Sequence, residues 1–77
     1  MNFLIVEDDN IQLTGLKHII EEEYADAVVN TASTYNDAIT IIDSFDIDIF
    51  LLDIDLGGEK TGLDVCGYLR RIPKYND

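Results

Sequence analysis

Basic residues are scarce in this chain: five Lys and Arg stand against 16 Asp and Glu, for a formal net charge of −11. Contact with nucleic-acid phosphates or anionic membrane surfaces needs clustered Lys and Arg, so neither is expected as a direct partner. The single cysteine, Cys66, excludes an intrachain disulfide, and the single histidine, His18, excludes the common Cys/His metal spacings. No apolar run approaches the roughly 20 residues of a membrane span. The apolar start of the chain runs straight into acids and has no basic segment before it, so it reads as a strand and not as a signal peptide. A reducing, cytoplasmic setting is the natural reading.

What is present is enough for one small domain. The chain has 77 residues, 47% of them hydrophobic, which favours a folded globule near the lower size limit for a self-sufficient core. The acidic balance favours solubility and attracts cations and basic protein patches.

Strand and helix patterns alternate. Asn2 to Val6 is a short buried strand. Asn10 to about Tyr24 is a helix with Leu13, Leu16, Ile20 and Tyr24 on one face, capped by Asp8 or Asp9. Ala27 to Thr31 is a second strand. A second helix, capped by Ser33 or Thr34, turns Tyr35, Ala38, Ile39 and Ile42 inward. Ile47 to Leu52 is the third strand. After Gly57 and Gly58, Leu63 to about Ile72 is a third helix with Val65, Cys66, Leu69 and Ile72 inward. Arg70 and Arg71 suit its last turn, and Pro73 stops it.

Such alternation implies an α/β fold with a parallel sheet and right-handed crossovers. The first and third strands are continuous apolar runs, as expected of strands covered on both faces. The second is more polar and fits an edge, so the expected strand order is 2-1-3. The switch point then falls between strands one and three, where open α/β sheets place their sites. Glu7 and Asp8, at the end of the first strand, converge there with Asp53, at the end of the third.

The segments Val6-Glu7-Asp8-Asp9 and Leu51-Leu52-Asp53-Ile54-Asp55-Leu56, with Gly62-Leu63-Asp64-Val65 and Leu69-Arg70 further on, resemble the receiver domain of two-component response regulators. The resemblance covers the whole chain. It implies a flavodoxin-like, doubly wound parallel sheet, of which residues 1–77 supply the first three βα units. It also implies that Asp53 accepts a phosphoryl group from a sensor histidine kinase with Mg²⁺ present. Asp8, Asp53 and the Asp55 backbone carbonyl are then metal ligands, with Glu7 acting through water or a neighbouring contact. Such a domain is an acceptor and not a turnover enzyme, and it commonly controls a DNA-binding output domain. The chemistry is consistent with the residues: carboxylate and phosphate are both negative, and a hard cation screens their repulsion.

Two departures stand out. Gly57 occupies a position where many receivers have proline, and Gly62 follows Asp53 by nine residues, one more than the common pattern. The loop is similar to that of regulators with LytTR-type DNA-binding domains. The family's Ser/Thr after a fourth strand and Lys after a fifth lie outside the sequence, so the chain is expected to be the N-terminal part of a receiver. Its third strand is then an open edge on which copies of the chain would associate.

Two other readings stay open at this point. Asp53-Ile54-Asp55 also suggests a haloacid-dehalogenase type of enzyme, although that motif usually ends a first strand. A receiver-like interaction module that is never phosphorylated is the other. Blander roles are expected elsewhere: Asp9 as a helix cap, Glu21-Glu22-Glu23 and His18 as surface, Asp46 and Asp48 as strand flanks, Cys66 as a small core residue, and Tyr24 and Tyr35 as core-edge aromatics.

Overall fold

The computed structural model describes residues 1–56 and 59–75; the Gly57 and Gly58 of the loop reading lie outside the described residues. The element order is β1 (Asn2–Val6), α1 (Asn10–Glu23), β2 (Val28–Ala32), α2 (Tyr35–Ser44), β3 (Ile49–Leu52), α3 (Gly62–Leu69) and a 3₁₀ turn at Pro73–Tyr75. The sheet is parallel throughout, in the order β2-β1-β3. This is the expected flavodoxin-like α/β arrangement. None of the described helices is long and apolar enough to cross a membrane.

Alternation along β1 explains the two cores. Leu4 and Val6 point to one face of the sheet, where they meet Ala38 and Ile42 of α2 and Val65 and Leu69 of α3. Phe3 and Ile5 point to the other face, against Ile20 of α1. Leu4, Ile5 and Val6 are completely or almost completely buried. Full burial of such a side chain is worth about 1.5–3 kcal/mol, so this tripeptide is the densest source of stability in the chain.

The third strand departs from expectation. Phe50 and Leu52 face the larger core, but Ile49 and Leu51, on the α1 face, remain 37% and 38% exposed. α1 packs over β1 and β2, and among the described residues no helix lies over that face of β3. Leu16 is exposed for the same reason. Tyr24 is exposed as well, but its ring packs on Phe3 with centroids 5.6 Å apart. The strand also starts later than read. The Ile47 N–H donates to Tyr75 Oη at 2.8 Å and leaves the ladder, while Asp48 N–H donates to the Asn2 carbonyl.

The third helix is shorter than its pattern suggested. It ends at Leu69, so Arg70 is its C-cap and Arg71 lies beyond it. Ile72 still packs against the core from outside the helix. Cys66 is exposed and not a core residue. Val65 and Leu69, four residues apart, define the buried stripe, and Cys66 is about 100° around the helix from Val65. A capping box begins this helix: Thr61 accepts from the Leu63 N–H at 3.2 Å, and Thr61 N–H donates to Asp64 Oδ2 at 2.7 Å.

Gly15 and Gly67 lie within helices, with open space where a side chain would go. Gly67→Ala is therefore expected to raise stability by about 0.5–1 kcal/mol, and Gly15→Ala by a similar amount. Urea unfolding measures this directly. A loss of stability in either variant would contradict the exposed helical setting.

Candidate functional site

Parallel pairing of β1 with β3 places Val6 beside Leu52, so the residues that follow each strand emerge side by side. Asp53 continues the ladder by one bond: its N–H donates to the Val6 carbonyl at 2.9 Å. On the other side, Glu7 N–H donates to the Ala32 carbonyl at 3.0 Å. The backbones carrying both acids are thus held by the sheet itself.

Carboxylate oxygens of Glu7, Asp8 and Asp53 all lie within 4.8 Å of one another. Their environments differ. Glu7 is buried, with 6% exposure, Asp53 is half-buried and Asp8 is exposed. Glu7 Oε2 has no hydrogen-bond partner among the described residues. An orphaned, buried carboxylate oxygen beside two further carboxylates is unfavourable without a cation or a proton. The oxygen-only donor set suits a hard divalent ion such as Mg²⁺, so the residues fit the metal that the resemblance implies.

Asp55 is in the loop beyond Asp53. Its N–H approaches Asp53 Oδ1 at 3.4 Å, and its own side chain is not among the three clustered carboxylates. Asp9 stands apart from the cluster. Its Oδ1 accepts from the Ile11 and Gln12 N–H groups at 2.9 and 3.2 Å, which makes it the N-cap of α1. Removing such a cap typically costs ~1 kcal/mol, a sufficient reason for an acid here.

The loop is pegged to the body at three points. Leu56 is buried in the larger core, Lys60 Nζ sits 5.3 Å from the centre of the Tyr35 ring, and Gly62 N–H donates to the Ile54 carbonyl at 3.1 Å. The sequence marks Gly62 by its nine-residue spacing from Asp53 and its place in Gly62-Leu63-Asp64-Val65, and it does not single out Thr61. The Thr61-x-x-Asp64 spacing is the signal that marks this helix start. On the α1 face, an apolar groove of about 190 Å³ runs past Ile5, Leu16, Leu51 and Leu52 and also touches Glu7 and Asp53.

The Glu7 carboxyl is held above its ordinary pKa of 4.5. The adjacent Asp53 carboxylate, as a hydrogen-bond acceptor for the protonated Glu7 carboxyl, is the main cause, followed by burial and by repulsion from Asp53. A carboxyl whose folded pKa is raised binds more protons in the folded state than in the unfolded state. Metal-free stability therefore falls as pH climbs from about 4.5 through the raised value, and the loss is complete above it. Glu7→Gln removes this penalty. In EDTA at pH 7 the variant should melt higher than the parent, and the advantage should shrink towards pH 4. Equal melting temperatures at both pH values would contradict a raised Glu7 pKa.

Comparison with known proteins follows the same residues. The family model for the response regulator receiver domain matches residues 3–76. The nitrate/nitrite response regulator protein NarP of Escherichia coli (strain K12) is 34% identical over 68 residues, covering 88% of this chain and 31% of the relative. The cyclic di-GMP phosphodiesterase response regulator RpfG of Xanthomonas campestris pv. campestris (strain 8004) is 31% identical over 77 residues, covering 100% of this chain and 20% of the relative. The chain therefore spans between a fifth and a third of the length of these relatives. No solved structure matches it significantly. The dehalogenase reading loses its footing, because Asp53-Ile54-Asp55 ends the third strand and the acids of the first strand stand beside it. From the match over nearly its whole length, with a 2-1-3 parallel sheet gathering acids from the two strand ends, the chain belongs to the response regulator receiver domain family.

Proposed function

We propose that Asp53 is the phosphoryl acceptor of this receiver domain and that Glu7, Asp8, Asp53 and the Asp55 carbonyl serve a Mg²⁺ ion. The observation that carries the reading is the buried Glu7 carboxyl, with its unpartnered Oε2, next to Asp8 and Asp53. In the proposed step an Asp53 carboxylate oxygen attacks the phosphorus of a kinase phosphohistidine. The O–P bond forms as the N–P bond breaks, and the histidine nitrogen leaves with the bonding pair. A bound Mg²⁺ would screen the repulsion between carboxylate and phosphoryl oxygens and stabilise charge on those oxygens during transfer.

The remaining work belongs to the chain's own residues. The bond to Val6 fixes the Asp53 backbone, and the approach of Asp55 N–H to Oδ1 biases the side chain. Glu7 keeps a second carboxyl close without exposing it, and Asp8 presents a third to solvent. On this reading the domain accepts a phosphoryl group and does not turn over a substrate. Its donor is a sensor histidine kinase in the cytoplasm, and in a longer parent protein it controls an output domain, DNA-binding by the loop resemblance.

A second part of the reading concerns the open edge. Among the described residues β3 pairs only with β1, and Ile49 and Leu51 are only partly covered on it. We propose that in residues 1–77 taken alone this edge pairs with the same edge of a second copy, an isologous contact that covers both. The charge of −11 opposes association, so added salt should strengthen it.

Three experiments test these proposals. Mass spectrometry after incubation with acetyl phosphate and Mg²⁺ should find one added phosphoryl group on Asp53 and none in Asp53→Asn. Asp8→Ala should weaken Mg²⁺ binding by roughly tenfold or more, about 1.4 kcal/mol. Labelling that persists in Asp53→Asn sinks the acceptor assignment. Sedimentation of residues 1–77 should show a salt-strengthened dimer that Leu51→Lys returns to monomer. A monomer at high concentration and high salt rules out the edge contact.

A further inference from the structure

The contact between α3 and the backbone of Asp53 is unusually close. Gly62, the buried first residue of α3, stands so near that an added Cβ would lie 2.0 Å from the Asp53 carbonyl oxygen. It would lie 2.8 Å from the carbonyl carbon and 3.3 Å from Ile54 Cα. These are main-chain atoms and cannot swing aside as a flexible side chain can. The same addition at Gly15 or Gly67 meets nothing within 4 Å.

The neighbouring restraints determine where any displacement must go. On the strand side, Asp53 N–H is tied to the Val6 carbonyl at 2.9 Å. On the helix side, the Thr61–Asp64 capping box fixes the first turn of α3, and Val65 and Leu69 anchor that helix in the core. The Asp53–Ile54 peptide lies between these two fixed bodies. It is also followed directly by Asp55 and by the buried Leu56. Crowding at residue 62 is therefore taken up by the peptide that aims the Asp53 carboxyl and leads to the Asp55 carbonyl.

We infer that Gly62 is a positioning residue of the Asp53 site, which seats α3 directly on the acceptor peptide and thereby sets the geometry of cation binding. The inference rests on the site reading proposed above. It also couples the two in the reverse direction, because a cation that holds Asp53 and the Asp55 carbonyl must tighten the Gly62–Ile54 hydrogen bond by the same linkage.

The test uses Gly62→Ala in a Gly67→Ala background, with Gly67→Ala alone as the control. Circular dichroism and cooperative melting establish that each variant folds, and NMR titration with Mg²⁺ follows the Asp8 and Asp53 signals. The control should bind Mg²⁺ as the parent does, and the folded double variant should bind at least tenfold more weakly. A folded double variant with parental Mg²⁺ affinity overturns the inference. A double variant that does not fold moves the decision to amide exchange in the unsubstituted chain. There, saturating Mg²⁺ should slow exchange of the Gly62 N–H about tenfold and leave the Gly67 N–H unchanged. An unaltered Gly62 rate, with Asp8 and Asp53 signals that do shift, also overturns it. If Mg²⁺ moves neither acid's signals in the parent, the site reading itself fails and takes the inference with it.

Discussion

One hydrogen bond organises the functional end of this domain: Asp53 N–H to the Val6 carbonyl. It carries the β1–β3 ladder one step past the last paired residues, Val6 and Leu52. Because of it, an acid that leaves β3 emerges at the same level as the acids that leave β1. Without that register the same residues would be ordinary solvated strand ends. The bond in turn depends on β1 being gripped from both sides, with both faces buried in separate cores. The most hydrophobic part of the molecule thus serves as the rigid mount for its most polar part.

That mount also explains the electrostatics. Three carboxylates gathered within 4.8 Å repel one another, and burial of Glu7 adds a desolvation cost. The core that surrounds β1 supplies the stability that tolerates this arrangement. Crowding and burial hold the Glu7 carboxyl above its ordinary pKa, and a cation would offset the same repulsion. A destabilised cluster of this kind is characteristic of functional sites, where local charge repulsion is offset by packing elsewhere. A Mg²⁺ ion bound as proposed would meet carboxylates already converged, with little ordering left to do.

The loop after β3 has a comparable logic. Leu56 in the core, Lys60 over the Tyr35 ring and Gly62 against the Asp53–Ile54 peptide hold its described residues to the body of the domain. The open side of the molecule is the α1 face of β3, where Ile49, Leu51 and Leu16 are only partly covered. A strand whose sequence suits burial on both faces carries information about a neighbour, whichever chain supplies it. The two relatives are three to five times longer than the region they share with this chain.

Much of this was legible in the residues themselves. Apolar runs broken by Glu7-Asp8-Asp9 and by Asp53 marked the strands, their acidic ends and the order 2-1-3, because periodicity and charge are local properties. Asp9 as a helix cap followed equally from its place before a helical stripe. Other features needed the folded chain. Cys66 looked like core and is exposed, because a stripe only one or two residues wide decides burial on a short helix, and Val65 and Leu69 already occupy it. The early end of α3 and the late start of β3 both depend on contacts far apart in sequence, such as Tyr75 with Ile47. Above all, the sequence by itself determined which acids could act. Only the tertiary structure decided that Glu7 is buried, that its Oε2 lacks a partner and that Gly62 touches the Asp53 peptide, since each depends on distances between elements that no local pattern encodes.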